Sequence, residues 1–402
     1  MPSPSSSLAI ILVLSCALLG GYASMGLAYR HGFLDAIGDC IRIAHGSASP
    51  STECVLVRAH EYHRTGYTGI KHVDGYFAVL LEFFAFGLAS GAGPGETDVE
   101  GLLASTYMAT LFCGAWFLMA MEGLRKRNAG GLLSYTGSFG LVFQMLTVTI
   151  IAPIYHALHL LGLPQIQDFD TVAVDPLDLR LLPWSTVISY LLPTLGLALT
   201  QLNVLSPKAT YLAIALWQPF PLYQSIVHPL LRAMCWGSTT SSPRKAQHSP
   251  EQVERSLAKA YRFILTLCMG VHLVVVGTLI ANHLHPDLIP NLSAARTLAP
   301  TSLTHPPTLA MANTPVPALA SRAIVTGFLR WDIYCASASF VLWAGYLAYH
   351  AERGPGFVGV LEKILFWAVV GGPMAPAAIL LWERDVAVLK RTRDSQVSNK
   401  RK

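Results

Sequence analysis

Residues 67–86 read YTGIKHVDGYFAVLLEFFAF, with Asp74 at the mouth of an apolar run and Glu82 eight positions inside it. As a helix, the run would carry Glu82 roughly 12 Å deeper than Asp74. A carboxylate in hydrocarbon costs several kcal/mol unless it is paired or protonated, which makes both residues functional candidates. The question is whether the run is a membrane helix at all.

The rest of the chain answers it. Of 402 residues, 52% are hydrophobic and 13% charged, and the mean hydropathy is +0.45. That balance lies far outside the range of soluble globular domains. Stretches of roughly 20 apolar residues, enough to cross about 30 Å of hydrocarbon as helix, recur along the chain. They fall near 8–27, 73–90, 102–121, 139–161, 184–202, 210–236, 257–283, 330–350 and 358–382. The fold class expected is therefore all-α: a polytopic integral membrane helix bundle with about eight to nine transmembrane helices. Its parts are an N-terminal anchor helix (1–28), a polar connecting segment (29–72), a polytopic helical membrane domain (73–385) and a basic cytosolic tail (386–402). The first helix follows MPSPSSS, which lacks the basic region of a secretory signal, and so is read as a retained anchor. In WQPFPLY, Pro219 and Pro221 should kink or break the sixth span beside Trp217 and Gln218. The Pro-rich segment 306–319 reads as a flexible connector.

The net charge of +5 comes largely from Lys390, Arg391, Arg393, Lys400, Arg401 and Lys402 in the tail, so it indicates orientation rather than a nucleic-acid partner. The basic triplet Arg125–Arg127 and the tail are separated by six crossings and can both be cytosolic, which puts the acidic loops 95–101 and 168–178 in the lumen. Arg244 and Lys245 oppose this threading, and the sequon at Asn291 would then be cytosolic. An internal membrane, the endoplasmic reticulum, is the expected location. Five of the seven cysteines fall in or beside apolar helices as small hydrophobes, while Cys40 and Cys54 could pair only in an oxidising lumen.

Counting nine crossings places Asp74, Glu122, Gln144, Asp332 and Glu383 on one side of the membrane, whichever side that is. Each has a purely structural reading as well. Glu122 can pair with Arg125 at i+3, Glu383 with Arg384, and Asp332 can pair with Arg330 or cap a helix. Glu82 is either a second acid or a hydrogen-bond partner in helix packing. His156 and His159 share a helical face at a spacing metal ligands use, without an acidic or cysteine partner in the sequence. HEYHR at 60–64 has the wrong spacing for His-Glu-x-x-His, and no Walker loop or nucleophile elbow occurs. Intramembrane acids also suit a proton-coupled transporter, a lipid-binding membrane sensor or a purely structural subunit.

Several blocks together carry a resemblance: GYTGIKHVDGYF, MEGLRKRNAGG leading into GSFGLVFQ, IIAPIYHALHL, YLLPTLGLAL, WQPFPLY, FLRWDIYCASASFVLWA and GGPMAPAAILLWERD. In order and spacing the chain resembles the fungal membrane-bound terpene cyclases of the ascofuranone, ascochlorin and macrophorin type. RKRNAGG stands where that family more usually has Gly-Asn-Arg-Gly, and GGPMAPAA where it has Gly-Pro-Gly-Ala. The resemblance implies cyclisation of a farnesyl chain on a prenylated, hydrophobic small molecule, started by protonation of an epoxide or olefin. It implies Asp74, Asp332, Glu122 and Gln144 as catalytic residues, with Asp74 or Asp332 as donor. Aromatic and polar residues beside the spans, Trp217, Gln218, Trp331, Tyr334 and Glu82, are expected to shape the substrate site. No cofactor or metal is expected, since the Asp-Asp-x-x-Asp pattern of diphosphate-ionising synthases is absent. Functional coupling to a prenyltransferase and a monooxygenase would supply the substrate.

Overall fold

The computed structural model describes residues 4–44, 67–88, 99–163, 167–236, 249–286, 321–351 and 356–401. Cys54, the 60–64 stretch, Arg244 and Lys245, the sequon at Asn291 and the Pro-rich segment lie outside them. Among the described residues every regular element is a helix. In chain order these are α1 (Pro4–Ala23), α2 (Met25–Arg30), α3 (Phe33–Ala44), α4 (Lys71–Leu88), α5 (Val99–Gly123), α6 (Thr136–Leu146), α7 (Val148–Leu161), α8 (Phe169–Val172) and α9 (Pro176–Thr186). A π-helical segment, Val187–Leu191, leads into α10 (Leu192–Gln201). Then follow α11 (Pro207–Trp217), α12 (Phe220–Trp236), α13 (Pro250–Leu284), α14 (Ser321–Ala351), α15 (Phe357–Gly371) and α16 (Ala375–Arg401).

Several helix starts are dictated locally. Asp175, Ser206 and Ser249 each accept a backbone N–H of the first turn through their side chains, and each precedes a proline at the first helical position. A capping oxygen satisfies a donor that the helix cannot, and proline supplies the right φ without wasting an N–H.

Helix α5 forms the centre of the bundle, buried almost all round from Cys113 to Gly123. Helix α14 packs against α1, α7 and α16, and α13 against α5, α9 and α16. Much of the exterior, by contrast, is apolar: Leu18, Leu192, Leu195, Ile226, Leu230, Val274, Leu365 and Val369 are all exposed. An apolar surface this extensive marks contact with lipid or a partner. Four helical stretches, Ser6–Arg30, Gly101–Gly123, Phe169–Gln201 and Pro250–Leu284, are long and apolar enough to cross a membrane.

Of the nine expected spans, three are divided: the run 358–382 at Gly372, which has φ 81°, between α15 and α16, and two others. The apolar run 139–161 is divided at Thr147, which has φ 76°, into α6 and α7 of 11 and 14 residues. The run 210–236 is divided between Trp217 and Phe220 into α11 and α12, as its prolines foretold. Broken helices are tolerated at membrane depth where neighbours re-satisfy the backbone. In lipid, helix association rests on close packing of small residues. A β-carbon at Gly140 would collide with Pro221 and Trp116, and one at Gly20 would overlap Thr149 Oγ1, so these glycines seat α6 on α12 and α1 on α7.

Candidate active site

A cavity of about 800 Å³ lies at the break between α6 and α7, closed by α2–α5, the π segment, α10, α11 and α14. This volume falls in the range of small-molecule sites. Its wall is largely apolar and aromatic. Phe84 and Trp217 are 5.2 Å apart by ring centroid, Phe112 and Phe143 5.3 Å, and Tyr190 and Trp217 6.1 Å. Trp217 is held in this wall by its indole N–H, which donates to Thr194 Oγ1 at 3.0 Å.

Among the described residues that line the cavity, Asp332 is the one carboxyl. Its Oδ1 accepts the backbone N–H of Thr149 at 2.8 Å, in the first turn of α7. The aspartate from α14 thus serves as the missing cap of α7. Thr147, which precedes that helix, makes no capping bond of its own. A helix N-terminus favours a negative charge, so the ionised form of Asp332 has a receptive setting. Gln144, near the end of α6, lines the same cavity and donates through Nε2 to the carbonyl of Gln218 at 2.8 Å, bridging both helix breaks. Tyr76 of α4 donates to the carbonyl of Met145 at 2.6 Å, tying down the end of α6.

The other expected residues go elsewhere. Asp74 is buried, yet its oxygens are consumed by one loop: Oδ1 accepts from the N–H groups of Tyr67 and Thr68 and the Thr68 hydroxyl, and Oδ2 from the N–H of Gly69. Glu82 accepts from Tyr211 Oη at 3.3 Å, joining α4 to α11. Gln218 contributes its backbone carbonyl to Gln144, as above. Trp331 faces Ala23 of α1 together with Cys335, and Tyr334 packs on the main core. None of these side chains lines the cavity.

Glu122 is separated from it most clearly. His159 Nε2 lies 3.0 Å from Glu122 Oε1, at the far end of α7 from Thr149. The ten residues between Thr149 and His159 span about 15 Å. Asp332 and Glu122 therefore do not share one level, as nine straight crossings would have them, because α6 starts beside Gly123 and α7 returns from the turn at Thr147 to Glu122. Glu122 instead belongs to a buried ionic cluster with Arg125, Arg384 and Asp385, each no more than 1% exposed. The Tyr261 hydroxyl donates to Asp385 Oδ2 at 2.7 Å, and Arg125 also donates to the carbonyl of Val172. The i+3 pairing of Glu122 with Arg125 holds, but Arg125 is no surface marker of orientation. Glu383 pairs with Lys363 at 2.7 Å rather than with Arg384. His159 accepts from the Trp343 indole at 3.1 Å, and His156 Nδ1 lies 2.8 Å from Ser339 Oγ. Both histidines are thus engaged in packing between α7 and α14.

Sequence reasoning missed Thr147 in the cavity wall and Asp385 in the ionic cluster, and considered Arg330 only as a pairing partner of Asp332. The doublet Arg384–Asp385 inside an apolar helix was the available signal for the cluster. Nothing in the sequence around Thr147 announces a positive φ.

A model of the CtvD domain matches residues 8–389, nearly the whole chain. The chain belongs to the CtvD-domain family. It is 25% identical over 380 residues to terpene cyclase ascI of Acremonium egyptiacum, covering 92% of this chain and 90% of that protein. Terpene cyclase ctvD of Aspergillus terreus is 24% identical over 388 residues, with 94% and 99% covered. Terpene cyclase atmA of Aspergillus flavus is 24% identical over 327 residues, with 79% and 83% covered. No solved structure matches the chain. The CtvD-domain family is thus the fungal terpene cyclase family that the sequence blocks resemble, and the match runs from α1 into α16.

Proposed function

We propose that this CtvD-domain protein is a terpene cyclase whose proton donor is Asp332. The carrying observation is a single carboxyl, among the described lining residues, facing an apolar and aromatic chamber large enough for a terpenoid. The chemistry follows from that setting. Asp332 gives its proton to the terminal epoxide oxygen or olefin carbon of a folded prenyl chain. The epoxide C–O bond or the alkene π bond then supplies the cation that successive alkenes capture as rings close. Loss of a proton, or capture by a hydroxyl of the substrate with loss of its proton, ends the cascade. Substrate and product are isomers, and no co-reactant is consumed.

The groups around the acid fit this sequence. The Thr149 N–H and the α7 terminus receive the carboxylate that remains. Gln144 fixes the end of α6 beside it, and the faces of Trp217, Phe84, Phe112 and Tyr190 border the space where positive charge develops. Excluding water keeps the cation from premature capture. We assign Asp74 and Glu122 to structure rather than to catalysis, since their oxygens are occupied by loop N–H groups and by buried guanidinium groups.

The membrane completes the reading. A hydrophobic prenylated substrate reaches such a chamber laterally from the bilayer, and its formation calls for a prenyltransferase and, for an epoxide, a monooxygenase. A multi-pass arrangement in the endoplasmic reticulum, with broken helices among its members, suits that supply. The transporter and sensor readings lack any comparable support. The test is expression with an epoxidised farnesyl phenol, followed by mass analysis of the extract. A cyclic isomer of unchanged mass made by wild type and not by Asp332→Asn is expected; recovery of unchanged substrate from both would refute the reading.

A further inference from the structure

A second concavity, on the opposite end of α5 and α14 from the cyclisation chamber, is built from charged side chains. It is a groove of about 1150 Å³ along α13 and α16, with Lys363 of α15 at one edge. The two long helices run antiparallel there. Arg393 pairs with Glu254 at 2.8 Å, and Arg262 lies 6.0 Å from the Trp382 ring centre. Six of its described lining residues are basic and three are acidic. Two of the acids are already answered, Glu254 by Arg393 and Glu383 by Lys363. Arg262, Lys390 and Arg391 are exposed and form no ion pair among the described residues.

The position of the groove is as informative as its charge. Helix α13 is charged from Glu251 to Arg262 and apolar from Phe263 onward. Helix α16 is apolar from Ala375 to Trp382 and charged from Glu383 onward. Because the helices are antiparallel, both changes occur at one level, where Trp382 stacks on Tyr261 at 5.9 Å. A tryptophan at an apolar-to-charged boundary is the usual occupant of a bilayer interface. The groove therefore opens at the headgroup level and rises into water, with its cations above the ring.

We propose that this groove binds the headgroup of an anionic phospholipid, with Arg262 at the interface and Lys390 and Arg391 on the phosphate and its acidic substituent. A basic recess between membrane helices matches that chemistry, and its acyl chains would lie along the exposed apolar faces of α13 and α15 below. The proposal needs only that the bundle is embedded in a bilayer. It is independent of which residue starts cyclisation.

The experiment is native mass spectrometry of the purified full chain in detergent, offered phosphatidylserine or phosphatidylcholine of identical chains. Wild type should retain phosphatidylserine preferentially. With about fivefold in affinity per basic residue near a headgroup, Lys390→Gln with Arg391→Gln should lower that retention roughly 25-fold. Both residues are exposed, and monodisperse elution of the double variant verifies its fold; Arg262→Gln provides a second, single-site reading. Equal retention of the two lipids by wild type, or undiminished preference in both variants, would overturn the proposal. Displacement of the lipid by millimolar inorganic phosphate would also overturn it, as it would assign the groove to a soluble anion.

Discussion

Two buried acids of this chain, Asp332 and Glu122, look alike in sequence and differ in what surrounds them. Asp332 has an N–H on one side and an apolar chamber on the other, whereas Glu122 is enclosed by Arg125, Arg384 and His159. Their neutral variants should accordingly separate stability from turnover. Glu122→Gln leaves two buried guanidinium groups undercompensated and should cost about 3–5 kcal/mol, read as lost thermal stability and yield of the solubilised protein. Asp74→Ala removes the acceptor that organises residues 67–69 and should cost about 1–2 kcal/mol in the same assay, with turnover by the folded fraction unchanged. Full loss of turnover in folded Asp74→Ala would return that residue to the chemistry. The acids were legible as candidates because hydrocarbon makes any carboxylate conspicuous. Their proposed division into donor and scaffold was not, because the deciding partners, Thr149 and Arg384, are remote in sequence and brought near by packing.

At the scale of elements, the chamber exists because two helices break side by side. The α11–α12 break was readable, since Pro219 and Pro221 cannot continue the backbone ladder. The α6–α7 break was not, since residues 144–150, QMLTVTI, contain neither glycine nor proline. Thr147 holds φ 76° there, a conformation that is costly for a β-branched residue and that positions both Gln144 and the α7 terminus. Thr147→Gly should therefore keep or raise thermal stability by about 1 kcal/mol, as glycine adopts this φ freely. Thr147→Pro, whose ring fixes φ near −65°, should abolish folded protein. A large loss of stability in Thr147→Gly would show that the threonine side chain, rather than the turn, carries the local structure.

For the whole molecule, composition alone specified a helical membrane bundle, and its leucine-rich exterior agrees. The count of crossings was less secure because length and hydropathy describe straight helices. Here α6 starts beside Gly123 and α7 ends beside Glu122, so the run 139–161 folds back on itself at Thr147 as a helical hairpin instead of forming one straight span. If the proposed threading holds, a C-terminal tag after Lys402 is cleaved by protease added to intact microsomes; protection of the tag until detergent is added would reverse the orientation. The central claim, that cyclisation begins from a proton held on Asp332, is tested most directly by single-turnover rates of folded wild type, Asp332→Asn and Glu122→Gln on the same prenylated substrate. The account predicts a loss of about 10²–10⁴-fold for Asp332→Asn, with most activity kept by whatever Glu122→Gln protein folds. Near wild-type rates from Asp332→Asn would contradict it.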